Sequence, residues 1–374
     1  MSTLFEPRSI GTLHLPNRLV RSATAERMAD DDGWPRPELR ATYERLARGG
    51  VGLIITGHMY VHRSGRCHRE MTAIDRDELV PALAELTQAV HQAGGRIVAQ
   101  INHGGMQCSP DAVLEAIAPS ATDYAALKQP ARAMTVQEIH GLIDAYAQAA
   151  RRAQQAGFDG VQLHGAHGYL ITQFLSPLVN QRGDEWGGNL PGRMHFLRAV
   201  CQAVRAQVGP QYPLLIKLGM IDSVQGGLTP DDSVRVVAAL ESMGVDAVEI
   251  SGGIGGVRNL NTRPGVRAGV DEAYFRPLAH QARQATRLPI LLVGGFRSRR
   301  TMEEVLSSGD ADFISLCRPL ICEPDLPQRM REGLQEESVC ISANRCWANR
   351  EGEGIACKCR TKKGRVRPRR LLRV

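Results

Sequence analysis

Two histidines and a tyrosine lie within six residues of one another, at His164, His167 and Tyr169, in the glycine-punctuated segment His-Gly-Ala-His-Gly-Tyr. They follow a short apolar run, 158–163, that has the length and composition of a buried strand. Loops at strand ends are where reactive side chains collect in α/β enzymes. Imidazole N–H groups and a phenol O–H can polarise a substrate oxygen while a nearby carbon receives a proton. The segment predicts a catalytic loop, although His-x-x-His taken alone is more often structural.

Other polar or backbone-rich segments follow further short apolar runs. Ser22, Ala23 and Thr24 form a small, flat segment suited to lie against a planar ring, and Gly57 and Gln100 stand at two more strand ends. Lys217 interrupts the apolar run Leu-Leu-Ile-Lys-Leu-Gly, and a buried lysine needs an anionic partner. The lysine is therefore either a ligand for a bound group, which we favour, or one half of an internal ion pair.

Glycines and an arginine follow the last two runs. Gly294 and Gly295 end one of them, and Cys317-Arg318-Pro319 ends the other. In (β/α)8 barrels this region often binds a phosphate through glycine amides, and an arginine adds a charge-assisted pair. A phosphate site, an amide and a cation for a ring, and a His/His/Tyr set together predict bound flavin mononucleotide (FMN) with a substrate above it.

Eight apolar runs alternate with amphipathic segments along most of the chain. Eight consecutive strand–helix units predict a parallel sheet closed into a single (β/α)8 TIM barrel. A doubly wound sheet is the alternative, but no Gly-x-Gly-x-x-Gly follows the first run. We predict strands at 18–24, 51–57, 96–102, 158–164, 214–219, 247–251, 288–294 and 311–317, and helices at 38–48, 78–92, 136–155, 194–207, 231–242, 274–286, 299–308 and 326–336.

From about residue 4 to residue 325 the chain resembles the old yellow enzyme family of FMN-containing ene-reductases. The most specific part is the His-Gly-Ala-His-Gly-Tyr segment with Gln-Phe-Leu-Ser-Pro, Asn-Gln-Arg and Trp-Gly-Gly after it. The resemblance implies reduction of the activated C=C bond of α,β-unsaturated carbonyl or nitro compounds by NAD(P)H, in a ping-pong hydride transfer. It also implies that His164 and His167 bind the substrate oxygen and that Tyr169 protonates the α-carbon. The implied flavin contacts are Ser22, Ala23, Thr24, Gly57, Gln100 and Lys217 for the ring, and Gly294, Gly295, Cys317 and Arg318 for the phosphate.

The sequence departs from the family pattern at two places. Ala25 stands where family members usually carry Thr or Cys, so the side chain that tunes the flavin there is missing or replaced by Thr24. The C-terminal cysteines resemble the iron–sulfur segment of the dienoyl-CoA reductase and trimethylamine dehydrogenase branch, but Ala343 fills one ligand position and Cys346 falls one residue early. We favour a degenerate remnant without a metal, and the alternative is an iron–sulfur flavoenzyme resembling that branch.

Composition and charge indicate the organisation of the chain. We predict a barrel at 1–336 and a C-terminal extension at 337–374 that contains cysteines and a basic tail. The net charge of +7 comes from nine Lys or Arg residues after Cys357, without which 37 basic residues face 39 acidic ones. A nucleic-acid partner, and hence an RNA-directed flavoprotein, is therefore the less favoured alternative. The absence of a long apolar run and of a signal-peptide pattern leads us to expect a cytoplasmic protein, and a homo-oligomer is left open.

Overall fold

A computed structural model describes residues 3–122, 129–255, 261–347 and 352–359 of the chain. Eight parallel strands form the barrel, and a helix follows each of them. The strands are β1 (Leu19–Arg21), β2 (Leu53–Ile55), β3 (Ile97–Asn102), β4 (Val161–Gly165), β5 (Leu214–Gly219), β6 (Ala247–Ser251), β7 (Ile290–Leu292) and β8 (Phe313–Leu316). The helices are α1 (Pro37–Arg48), α2 (Val80–Gln92), α3 (Val136–Gln155), α4 (His195–Val208), α5 (Pro230–Leu240), α6 (Arg276–Ala285), α7 (Arg299–Ser307) and α8 (Leu326–Arg331).

The sheet closes on itself. Each strand pairs in parallel with the next along the chain, and β8 returns to β1 through the register Ile314↔Leu19. The pairing of β2 with β3, at Ile54↔Ile97, completes the ring. The prediction of a (β/α)8 barrel is confirmed, and every predicted strand and helix is present with shifts of a few residues at its ends.

Local sequence signals set several helix starts. Thr135 caps α3 in a capping box: its hydroxyl accepts from the Glu138 amide at 3.2 Å, and the Glu138 carboxylate accepts from the Thr135 amide at 2.7 Å. Thr229 caps α5 by accepting from the Asp232 amide. In both segments, Thr-Val-Gln-Glu and Thr-Pro-Asp-Asp, an acidic residue lies two or three positions after the capping threonine, a pattern typical of a helix start.

Residues on the strands alternate between two environments, as the period of two in a β-strand requires. One set packs outward against the helices, and the other points into the barrel. The lower part of the interior is apolar and contains Val20, Leu53, Val98, Leu215, Ala247, Leu291 and Phe313. Two residues further along, several strands carry polar side chains instead, so the interior changes from apolar to polar towards the carboxyl ends of the strands.

A short β-hairpin near the N-terminus closes the apolar end of the barrel. Its strands, Arg8–Ile10 and Leu13–Leu15, pair antiparallel. The side chains of Ile10, Leu13 and Leu15 belong to the same apolar cluster as the lower barrel interior. The sequence analysis did not identify this hairpin.

The C-terminal extension folds back onto the barrel in two described parts. Glu337 forms a bridge with Ser298, and the Ser338 amide donates to the Arg297 carbonyl at 2.8 Å. Further on, the Ile355 amide donates to the Glu26 carbonyl at 2.8 Å. Apart from Lys358, the basic tail lies outside the described residues. No helix in the described part of the chain is both long and apolar enough to cross a membrane.

Candidate active site at the carboxyl ends of the barrel strands

A cavity of about 500 Å³ opens at the carboxyl ends of the strands. This volume falls in the range of small-molecule and cofactor sites. It receives residues from loops that are far apart in sequence, because the barrel brings all eight strand ends to one face. Eleven of the thirteen predicted site residues line it: Ser22, Ala23, Thr24, Gln100, His164, His167, Tyr169, Lys217, Gly295, Cys317 and Arg318.

The three predicted catalytic side chains form one aromatic cluster on the cavity wall. The ring centroid of His164 lies 4.6 Å from that of Tyr169 and 5.2 Å from that of His167. His58, the residue after Gly57, was not predicted as a site residue, but it joins the cluster with its ring centroid 5.1 Å from that of Tyr169. His58 Nδ1 in turn lies 2.9 Å from Asn102 Nδ2, so this imidazole is anchored to β3.

Burial holds these rings in their uncharged forms. It lowers the pKa of His167 to about 3 and that of His58 to about 4, and it holds the pKa of His164 well below its usual range. The positive charge of Lys217 lowers the pKa of His164 and His167 further. Burial also raises the pKa of Tyr169 well above 10. At neutral pH the cluster therefore presents neutral imidazoles and a protonated phenol, all of which can donate hydrogen bonds.

Hydrogen bonds within the cluster leave donors available for a ligand. His167 Nε2 is 2.8 Å from Ser251 Oγ at the end of β6. His164 Nδ1 is buried and has no hydrogen-bond partner among the described residues. The Tyr169 hydroxyl likewise forms no hydrogen bond within the described ranges. A buried polar atom without a partner is costly, so His164 Nδ1 indicates a site that is completed by a bound molecule.

Gly57 and Gly294 do not line the cavity, although both were predicted to contact the cofactor. A Cβ at Gly57 would come within 2.5 Å of the Thr24 carbonyl oxygen and still closer to the Glu26 carboxylate, so Gly57 lies behind the segment that carries Thr24. Gly294 supports the cavity in a similar way, because its carbonyl accepts from the Tyr274 amide at 3.1 Å. Both glycines allow the close packing of residues that do line the cavity.

Lys217 lines the cavity and is also ion-paired. Its Nζ is 3.3 Å from Glu249 Oε1, and both side chains are buried. Nζ also donates to Ser22 Oγ at 2.7 Å. The two alternatives considered for Lys217, a ligand contact and an internal ion pair, are therefore compatible in one arrangement.

Arg318 occupies the opposite side of the cavity, next to the end of β8. Its Nη1 donates to the carbonyl oxygens of Arg263 and Ser342 and to Asn344 Oδ1, at 2.7, 3.2 and 2.6 Å. Within the described residues no carboxylate pairs with this buried guanidinium. Its charge is left for an anion, which suits a phosphate. Nearby, Thr24 Oγ1 lies 3.2 Å from Cys317 Sγ and joins the β1 and β8 loops.

Part of the cavity wall comes from residues that the sequence analysis missed. Ser342, Asn344 and Trp347 of the C-terminal extension line it. Trp347 is the one aromatic residue in the sequence 337–374, which was the available sequence signal. The extension thus contributes to the site even though its sequence indicated a separate tail.

The residues present fit FMN. A flat wall of small residues, a cation and an amide on one side, and an unpaired guanidinium on the other side match the chemistry of a planar ring joined to a phosphate. Ser22, Ala23, Thr24, Gln100 and Lys217 would hold the ring, and Gly295, Cys317 and Arg318 would hold the phosphate.

The cysteines do not assemble a metal site in the part of the chain that is described. Cys357 Sγ lies 3.4 Å from Cys322 Sγ, and Cys340 and Cys346 are buried nearby in the extension. Within the described ranges, however, no group of three or more Cys, His, Asp or Glu residues is placed to hold a metal ion.

Comparisons with known proteins identify the family of the chain. The family model of the NADH:flavin oxidoreductase / NADH oxidase family matches residues 3–337. The chain is 34% identical to an NADH oxidase of Thermoanaerobacter brockii over 95% of its own length, but it spans only 55% of that protein. It is 35% identical to an NADPH dehydrogenase of a Geobacillus species, covering 92% of the chain and 98% of the relative.

A solved structure gives the same result. The old yellow enzyme homologue from Zymomonas mobilis superimposes with a TM-score of 0.77 at 30% identity, over 90% of this chain and 94% of the other. The resemblance to this family is confirmed. The chain belongs to the NADH:flavin oxidoreductase / NADH oxidase family, which includes the old yellow enzymes.

Proposed function

We propose that the protein is an FMN-dependent NAD(P)H oxidoreductase that reduces the activated C=C bond of α,β-unsaturated carbonyl or nitro compounds. The observation that carries the proposal is the cluster of His164, His167 and Tyr169, three uncharged donors gathered on one wall of a cavity that fits FMN. Oxidation of an amine does not require such donors, because the reacting group of an amine substrate contains no carbonyl or nitro oxygen to polarise.

The two histidines would bind the electron-withdrawing group of the substrate. Negative charge develops on its carbonyl or nitro oxygen when a hydride adds to the β-carbon, and donors already in place stabilise that charge without reorganisation. His164 and His167 are suited to this because burial keeps them neutral and fixed. A hydrogen bond from a neutral imidazole polarises the oxygen and does not give its proton away.

Tyr169 would then provide the proton for the α-carbon. When bound, FMN supplies the hydride transfer between NAD(P)H and the substrate, which no side chain can perform. The net reaction adds that hydride and one proton from Tyr169 across the double bond, and the phenolate regains its proton from solvent. Because burial keeps the pKa of Tyr169 high, the residue is in the donor form throughout the neutral range.

Turnover of defined substrates tests the proposal. The full chain loaded with FMN is mixed under anaerobic conditions with NADPH or NADH and 2-cyclohexenone, and cyclohexanone formation is measured. Nitroalkenes are expected to be reduced as well, whereas cyclohexanone, which lacks the C=C bond, is expected to be inert. Oxidation of a tertiary amine with an artificial electron acceptor, in the absence of enone reduction, would overturn the proposal.

A further inference from the structure

A buried polar network crosses the barrel interior directly beneath the cavity. Its centre is the Glu249 carboxylate on β6, which is fully buried and does not line the cavity. Below Glu249 on the same face of β6 is Ala247, part of the apolar interior. The carboxylate thus lies between an apolar layer and the floor of the cavity, where an unpaired charge would be costly.

The first branch of the network joins Glu249 to the cavity-lining cation. Lys217 and Glu249 are direct neighbours in the parallel register of β5 and β6, and their charged atoms are 3.3 Å apart. Ser22 links them: its Oγ accepts from Lys217 Nζ and donates to Glu249 Oε1, each at 2.7 Å. Because a hydroxyl has a single proton, this polarity is fixed by an ammonium on one side and a carboxylate on the other.

The second branch reaches a cavity-lining amide. Gln162 Nε2 donates to Glu249 Oε2 at 3.0 Å, and Gln162 Oε1 accepts from Gln100 Nε2 at 2.7 Å. A carboxylate can only accept, so it forces Gln162 to donate with its amide nitrogen. Gln162 must then accept from Gln100, which leaves the oxygen of Gln100 for the cavity. Glu249 therefore determines how both Lys217 and Gln100 face a bound ring.

We propose that Glu249 is a positioning residue that offsets the charge of Lys217 and thereby lowers the reduction potential of bound FMN. The inference rests on the FMN binding assumed in the proposed function. Reduction adds negative charge to the flavin ring, and a nearby cation stabilises that charge. A carboxylate within ion-pair distance of the cation opposes this stabilisation, so the reduced flavin remains a stronger hydride donor than Lys217 alone would allow.

The midpoint potential of bound FMN, measured without any organic substrate, tests the inference. Glu249→Gln removes the negative charge and keeps the shape of the side chain. The variant is expected to raise the ratio of reduced to oxidised flavin at a given potential by tenfold or more. For a two-electron couple this is a shift of the midpoint potential by at least about 30 mV to more positive values. An unchanged potential in a variant that binds FMN stoichiometrically would overturn the inference.

Asp246→Asn is the matched control. Asp246 comes just before β6 at the opposite end of the barrel, about 10 Å along the strand from Glu249 at 3.3 Å per residue. It is also ion-paired, with its Oδ2 2.6 Å from Arg205 Nη2. The same loss of one negative charge at this position is expected to leave the potential unchanged. An equal shift in both variants would show that general charge acts on the flavin rather than the Lys217 pair.

A double variant decides the question if Glu249→Gln does not fold. Lys217→Met combined with Glu249→Gln removes both charges, a replacement that buried ion pairs often tolerate. If Glu249 offsets Lys217, the midpoint potential of the double variant stays within about 30 mV of that of the natural chain, the equivalent of a tenfold change in the ratio of reduced to oxidised flavin. A decrease of more than that would mean that Lys217 acts on the flavin as an uncompensated charge. Failure of the natural chain to bind FMN would instead contradict the proposed function, so the two failures are distinguishable.

Discussion

The imidazole of His167 is tied to Ser251, whose Oγ lies 2.8 Å from His167 Nε2. The two residues come from the β4 loop and the end of β6, so the contact bridges two strand ends that are separated only by β5. His167 has a φ of 62°, in the left-handed region that costs a non-glycine residue roughly 1–2 kcal/mol. Because the backbone of His167 is strained, the position of its ring depends on the contacts that the ring makes. The hydrogen bond with Ser251 fixes that position.

Removing that contact is expected to slow the reaction with the alkene. In Ser251→Ala, His167 loses a hydrogen bond worth about 1 kcal/mol, and we expect kcat/KM for 2-cyclohexenone to fall about fivefold to tenfold. Ser233→Ala is a suitable control, because Ser233 is buried on α5, does not line the cavity, and its hydroxyl bonds to none of the described residues. Equal losses in the two variants would argue against a specific role for the His167–Ser251 contact.

Tyr169→Phe separates proton donation from cofactor binding. The variant keeps the aromatic packing against His164 and His58 but lacks the acidic proton, so reoxidation of reduced FMN by 2-cyclohexenone is expected to slow at least about 100-fold. The affinity for FMN should not change. Tyr146→Phe, at a buried tyrosine on α3, controls for the loss of a hydroxyl elsewhere, and stopped-flow absorbance gives the rates. An undiminished rate in Tyr169→Phe would show that another group or water provides the proton.

The same groups predict a flat pH profile for the alkene half-reaction. The pKa of His58 is lowered to about 4 and that of His167 to about 3, while the pKa of Tyr169 is raised well above 10. None of these groups changes its protonation between about pH 5 and pH 9. We therefore expect the rate of FMN reoxidation by 2-cyclohexenone, measured by stopped flow, to vary less than about twofold over this range. A step centred near pH 6.5 would mean that one of the histidines is solvated and ionises during turnover.

Much of this site could be predicted from the sequence because its determinants are local. The His-Gly-Ala-His-Gly-Tyr segment follows a strand directly, so the position of the strand fixes the position of the three side chains. The alternation of apolar runs with amphipathic segments likewise predicts a parallel sheet, since each run must be buried and each parallel connection needs a crossover, and the count of eight units favours its closure into a barrel.

The remaining features depend on contacts between distant residues. Whether Lys217 binds a ligand or pairs internally could not be decided, because its partner Glu249 becomes a neighbour only through the register of two strands. The role of the extension was missed for the same reason: Asn344 reaches Arg318 only after the chain has returned across the barrel. Gly57 was assigned to the ring through the family resemblance, and its position after a strand says nothing about the Glu26 segment packed in front of it.

Glu26 predicts an unusual pH dependence of stability. Burial raises the pKa of this carboxyl to about 7, although Arg21 Nη2 lies 3.4 Å from its Oε1. The folded state thus binds the proton more tightly than the unfolded chain. The protonated Glu26 carboxyl therefore stabilises the folded state, and this contribution to the free energy of unfolding is complete below about pH 4.5 and is lost as the pH rises through 7. In Glu26→Gln, which cannot ionise, this loss does not occur.

The difference in unfolding free energy between Glu26→Gln and the natural chain is therefore expected to shift in favour of the variant by about 2 kcal/mol from pH 5 to pH 8. Denaturant unfolding at the two pH values measures it. His58 and His167 titrate in both chains and act in the opposite direction below pH 6.5, so they cancel in the difference. Parallel stability curves for the two chains would show that Glu26 has an ordinary pKa.

The C-terminal extension is expected to contribute to FMN affinity through Asn344. Its Oδ1 accepts from Arg318 Nη1 at 2.6 Å, and its Nδ2 donates to the Thr262 carbonyl at 3.0 Å, so the amide holds the guanidinium against the cavity wall. In Asn344→Ala the Arg318 side chain is less constrained. Binding of the phosphate must then order this side chain, which makes the free energy of binding less favourable. We expect the Kd for FMN, measured by equilibrium dialysis, to rise about fivefold to tenfold.

Riboflavin, which has the same ring without the phosphate, shows where the effect arises. Its Kd should change less than that of FMN, because Asn344 acts through the residue that faces the phosphate. Lys358→Ala is the control within the extension, since Lys358 pairs with Glu353 at 3.0 Å and does not line the cavity. If Asn344→Ala raised the Kd for riboflavin and the Kd for FMN by the same factor, the extension would act by closing the cavity as a whole rather than by orienting Arg318.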